Sequence, residues 1–67
     1  MQNDSLTHRE LEILLQIADG LTDREIAETI SISPKTVSTH RKNMLRKLKL
    51  KNTALLVRHA FENKIIK

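Results

Sequence analysis

Apolar positions recur at helical spacing in four stretches of this chain, and a helix-start signal precedes each. Leu11, Leu14, Leu15 and Ala18 fall at i, i+3, i+4 and i+7, with Ile17 widening the face. Thr7-His8-Arg9-Glu10 ahead of them is a capping box, and Gly20 is the natural stop. Thr22-Asp23-Arg24-Glu25 is a second capping box, and Ile26, Ala27 and Ile30 give the short helix behind it one apolar face. Ser33 can cap a third helix with Pro34 at its first position, where a missing N–H is no loss. That helix is predicted from Pro34 to about Leu48. Asn52 or Thr53 can cap a fourth, over about residues 53–63, and the tail beyond it is expected to fray. Nothing reads as a β-hairpin or a repeat. The pattern predicts an all-α, four-helix bundle. Its second and third helices are joined by about three residues, as in a helix-turn-helix.

The third helix has two faces. Counting about 100° per residue from Val37, the side chains of Met44, Leu45 and Leu48 fall within about 80° of it and form a core stripe. Lys35, Ser38, Thr39, Lys42, Arg46 and Lys49 lie between about 100° and 200° and form the opposite face. Small uncharged side chains thus sit among long basic ones.

Charge sharpens this picture. The 67-residue chain carries a net charge of +4. Residues 1–30 hold two basic side chains against seven acidic ones, and residues 31–67 hold ten against one. The run 33–51 has seven Lys and Arg and no acid. Such asymmetry points to a polyanionic partner for the second half. A helix in the major groove must bring its backbone near base edges, which small side chains permit. Ser and Thr bond to several base edges, a Thr methyl meets a thymine methyl, and Lys bonds to guanine acceptors. The N-terminal residues of a recognition helix make the base contacts. Ser38, Thr39 and Lys42 are therefore the candidate base contacts. Arg46, Lys47, Lys49 and Lys51, further along, suit phosphate contacts that position without specifying. Lys35, in the first turn, suits a phosphate better than a base. Thr36 either stiffens that turn or donates to a phosphate. Arg41 turns toward the core side, where a packed stem can still carry its head to a phosphate. His40 borders the core as a packed, hydrogen-bonded residue.

Other functions fit less well. There is no Cys, and no two His share a helical i, i+4 face, so neither a metal site nor a cofactor is expected. Without a Gly-rich loop or a convergent His–carboxylate set, an enzyme is not expected. Apolar runs reach only about four residues, too few to span a membrane. A single aromatic residue, Phe61, cannot build a stacking platform for single strands. A basic module for a protein or an acidic membrane surface is the reading from another class. A membrane-surface helix would want bulky apolar or aromatic residues opposite the charges, and the third helix has only a core-width stripe and caps that fit a packed bundle.

The stretches LTHRELEIL (6–14), GLTDREIA (20–27) and ISPKTVSTHRKNMLRKL (32–48) resemble the LuxR-type (NarL/FixJ) helix-turn-helix domain of bacterial transcription regulators. The resemblance covers about residues 6–63 and is closest to the output domains of response regulators. A sigma-factor promoter-binding domain shares this type of helix-turn-helix, but the TV-x-x-H spacing and the fourth helix argue against it. The resemblance implies sequence-specific binding of double-stranded DNA, with the third helix in the major groove, to regulate transcription initiation. It implies base contacts from Ser38, Thr39 and Lys42, and phosphate contacts from Thr22, Lys35, Thr36, Arg41, Lys47 and Lys51. Asp23 falls on another such position, where only its backbone N–H suits a phosphate. A homodimer formed on DNA through the fourth helix is implied as well. That helix's apolar spread exceeds the roughly 100° a core-facing stripe needs. Leu56, Val57 and Ala60 are assigned to the core, and Ala54, Leu55, Arg58 and Phe61 to the dimer face. Residues 6–67 are read as the domain, and residues 1–5 as a disordered lead-in or linker remnant. A receiver or sensor domain is expected upstream, RNA polymerase as a further partner, and the bacterial cytoplasm as the location. The chain departs from the family at Ser31 and Lys49, where many members carry Gly, and at Leu55, where members often carry a charge.

Overall fold

The computed structural model describes residues 6–63, so the expected lead-in at residues 1–5 and the fraying of residues 64–67 lie outside the described residues. Four helices form in the expected order: α1 (His8–Ala18), α2 (Asp23–Ile30), α3 (Pro34–Leu48) and α4 (Thr53–Glu62). Each starts on the residue its sequence nominates. The Thr7 hydroxyl accepts from the Glu10 N–H at 3.1 Å, and the Thr22 hydroxyl accepts from the Glu25 N–H at 3.2 Å. Both capping boxes close, because Glu10 and Glu25 accept in return from the Thr7 and Thr22 N–H groups, each at 2.8 Å. Ser33 and Asn52 cap α3 and α4 through single side-chain oxygens.

Three helices end in the same way. The N–H groups of Leu21, Ile32 and Leu50 reach back five residues to the carbonyls of Gln16, Ala27 and Leu45, at 3.1, 3.0 and 2.9 Å. Each of these apolar residues then packs against the core, as the Schellman motif requires. The residue before each is left-handed: Gly20 at φ 91°, Ser31 at φ 60° and Lys49 at φ 57°. Only the first is glycine, so Ser31 and Lys49 hold a conformation that costs an L-residue about 1–2 kcal/mol. Ser31→Gly should therefore stabilise the domain by about 0.5–1 kcal/mol, once the added freedom of the unfolded chain is subtracted. Thermal unfolding of the variant checks this, and an unchanged or lower midpoint would mean that the Ser31 conformation carries no strain.

The core is drawn from all four helices: Ile13 and Leu14, Ile26 and Ala27, Val37 and Met44, Leu56 and Ala60. α1 and α3 each touch the other three helices, whereas α2 and α4 share no contact among the described residues. α3 is thus held from behind along its length. Leu45 and Leu48 pack at the edge of the core, and His40 is half-buried.

One face differs from expectation. In α1 Glu10, Ile13 and Leu14 are buried and Ile17 packs against the core. Of the expected face Leu11, Leu14, Leu15, Ala18 and Ile17, only Leu14 is fully buried, Leu11 and Ala18 being half-buried. Leu15 is 44% exposed. Both stripes have i, i+3, i+4, i+7 spacing, and the sequence favoured the one that was apolar throughout. The other stripe includes Glu10, which is buried and meets a cation supplied by α3.

Candidate nucleic-acid interface

The outward face of α3 is built by what holds its inward face. Val37 and Met44 are fully buried. Lys47 extends its ammonium to Glu10 of α1, Nζ to Oε1 at 2.6 Å. The Glu10 side chain is only 5% exposed and that of Lys47 27%. Burial pushes the Glu10 carboxyl up. The Lys47 bond, the Thr7 N–H and the Lys47 charge outweigh it and hold the group below its usual 4.5. On the other side Arg41 reaches α2, Nη2 to Asp23 Oδ2 at 2.8 Å, and the same nitrogen lies 3.4 Å from Ser38 Oγ. Two ion pairs therefore fix α3 to the helices beside it.

What remains outward is largely the face expected from the sequence. Lys35, Thr39, Lys42, Arg46 and Lys49 are exposed, and Ser38 is half-buried beside Arg41. Thr39 donates its hydroxyl to the Lys35 carbonyl at 3.1 Å, which leaves its oxygen as an acceptor. The Lys42 ammonium has no partner among the described residues. Thr36 shares a 2.8 Å hydroxyl contact with Ser33, so the first turn of α3 is braced by its own cap. Arg46 donates to Asn43 Oδ1 at 2.9 Å, a neighbour the sequence reading did not single out. Lys51 is exposed just beyond α3, and Thr22 is exposed at the start of α2. α3 contains no acid, and its last turn carries Arg46 and Lys47, where positive charge favours the helix dipole. Lys35, in the first turn, opposes that dipole and would gain from a nearby anion.

The structure does not treat the expected phosphate set alike. Thr22, Lys35, Thr36, Arg46 and Lys51 are exposed. Arg41 and Lys47 are half-buried and engaged inside the bundle. A phosphate contact from either would be made beside its ion pair or in place of it. Sequence reading missed the two acidic anchors, Glu10 as a core residue and Asp23 as a side-chain partner. The only local hint was the turn of Arg41 toward the core side.

On α4, Leu56 and Ala60 are fully buried and Val57 is half-buried. Ala54, Arg58 and Phe61 are exposed, Phe61 at 50%, and Leu55 is half-buried. Arg58 donates to Glu62 at 3.0 Å along the same face. No group of three His, Cys, Asp or Glu suited to a metal ion occurs among the described residues. No helix among them is long and apolar enough to cross a membrane.

The chain has relatives among known regulators. The chain is 45% identical over 64 residues to the transcriptional regulatory protein MctR of Rhizobium johnstonii, which is 96% of this chain and 30% of that protein. It is 44% identical over 63 residues to the response regulator protein VraR of Staphylococcus aureus and of Staphylococcus epidermidis, covering 94% of this chain and 30% of theirs. The chain thus spans about 30% of the length of these curated relatives. All are named as regulators. The family described as bacterial regulatory proteins, luxR family, matches residues 4–60, most of the chain. This chain belongs to the luxR family of bacterial regulatory proteins.

Proposed function

We propose that this domain binds double-stranded DNA sequence-specifically as the output domain of a bacterial transcription regulator of the response-regulator type, with α3 in the major groove. The observation that carries the reading is the face of α3. Basic and small polar side chains stand outward without an acid among them, while the opposite face is locked to three other helices. A recognition helix needs this division, since base contacts demand a rigid support and a close approach of backbone to groove.

In this reading Ser38, Thr39 and Lys42 meet base edges. Thr39 acts as an acceptor or through its methyl group, because its hydroxyl proton is already bonded. Thr22, Lys35, Thr36, Arg46 and Lys51 meet phosphates and set the register, and Arg41 and Lys47 add to that set from beside their ion pairs. Two copies pair on DNA through α4, with Ala54, Leu55, Arg58 and Phe61 at a two-fold contact. So small a patch favours pairing on DNA over a stable dimer in solution. An upstream receiver or sensor domain, an action on transcription initiation with RNA polymerase as a further partner, and a cytoplasmic location complete the proposal.

Selection of bound duplexes from a random pool at near-physiological salt tests it. The expected result is a two-fold-related motif whose half-site spacing follows the dimer geometry. A single enriched half-site would keep the reader and remove the pairing. Binding without enrichment that vanishes as salt rises would leave only charge attraction and overturn the sequence-specific reading.

A further inference from the structure

Among the described residues, Asp23 is the acid paired with Arg41 of α3, next to Ser38. It follows the Thr22 cap of α2, and its Oδ2 takes a charge-assisted hydrogen bond of 2.8 Å from Arg41 Nη2. The two side chains are 33% and 25% exposed, so water screens the pair less than it would an open surface pair. The bonded nitrogen also lies 3.4 Å from Ser38 Oγ. One guanidinium therefore links the start of α2 to a side chain at the middle of the proposed reading face. Arg has five N–H donors, and those not bonded to Asp23 remain to orient on a phosphate or a base.

We propose that Asp23 is a positioning and specificity-determining residue. It holds the Arg41 fork in one orientation beside Ser38 and cancels the charge that Arg41 would otherwise offer to any phosphate. The proposal rests on the DNA-binding reading above. Its consequence runs against the usual direction for an interface residue, since loss of the Asp23 charge strengthens binding to unrelated duplexes. Arg41, no longer neutralised, then joins the sequence-independent contacts. Selectivity falls because Arg41, once released from Asp23, no longer keeps its place beside Ser38, so the specific complex gains less than a random one.

Asp23→Asn isolates the charge, because the amide oxygen can still accept from Arg41. Affinity for a random-sequence duplex should rise about three- to tenfold at low salt, and the slope of log K against log salt should steepen by up to about 0.9, the value for one further phosphate neutralised. The ratio of specific to random binding should fall. In an Arg41→Gln background the same substitution should change random-duplex affinity less than about twofold, because the partner it releases is gone. Equal gains in both backgrounds would mean that Asp23 acts only as a negative charge near DNA, and would overturn the proposal. So would an unchanged or weakened random-duplex affinity in the single variant. Wild-type protein that bound no duplex would overturn the DNA-binding reading as well. Matching helix content and thermal midpoints across the four proteins show that the comparison is between folded molecules.

Discussion

Lys47→Met destabilises the domain by about 2–3 kcal/mol at neutral pH, read as a lower urea midpoint with an unchanged slope. The methionine keeps the buried stem and removes the ammonium. It leaves the Glu10 carboxylate, whose side chain is 5% exposed, with the Thr7 N–H but without the cation that meets it. Breaking a fully buried pair costs about 3–5 kcal/mol, and the partial exposure of Lys47 lowers that figure. At about 0.05–0.15 kcal/mol per residue, a domain of this size is held by only a few kcal/mol, so the loss is a large share. Glu10→Gln combined with Lys47→Met should recover much of it. The glutamine can still accept from the Thr7 N–H, and no charge is left buried. A midpoint close to wild type in the single variant would mean that water reaches Glu10 once the ammonium is gone.

The same pair sets an acid dependence. The Glu10 carboxyl lies lower in the folded state than its ordinary 4.5, so the folded form favours its ionised state. The stabilisation is present above the unfolded value and is lost as pH falls through 4.5 toward the lowered folded value. Wild-type stability should drop over that interval more steeply than that of the double variant, which has no Glu10 to protonate.

Local features were legible in the sequence because their causes are local. Thr7, Thr22, Ser33 and Asn52 cap the helices they precede, since a cap needs only an oxygen beside the first turn. Ser31 and Lys49 were legible as left-handed positions only through the resemblance to the LuxR-type family, which leads one to expect glycine there. The outward face of α3 followed from counting around a helix. Two long-range pairings were not legible. Glu10 and Lys47 lie 37 residues apart, and Asp23 and Arg41 lie 18 apart. Each acid already had a sufficient local explanation, Glu10 closing a capping box and Asp23 opening a helix. The run ELEILLQIA (10–18) offered two stripes of equal spacing, and the one that packs inward carries Glu10, which meets Lys47. Choosing the stripe that was apolar throughout put Leu15 in the core, whereas it is exposed.

Lys42→Ala should cost specific DNA binding about 1–3 kcal/mol, roughly five- to more than a hundredfold, and should relax the preference at one base pair in each half-site. Three observations single out Lys42 among the cations of α3. It is exposed, its ammonium has no partner among the described residues, and it lies one turn beyond Ser38 and Thr39 on the same face. Arg41 and Lys47 differ on the second point, since each answers an acid of another helix. Arg46 lies a turn further on and leans on Asn43. A Lys that meets guanine acceptors discriminates among bases, whereas one that meets phosphate weakens every duplex alike and makes the salt dependence shallower. Repeating the duplex selection with the variant separates these. Loss of one preferred base with the rest of the motif intact assigns Lys42 to the groove floor. A uniform loss across sequences would move it to the backbone and leave Ser38 and Thr39 to carry recognition. Their short side chains then require a closer approach of α3 to the bases, an approach that the two ion pairs behind the helix are placed to support.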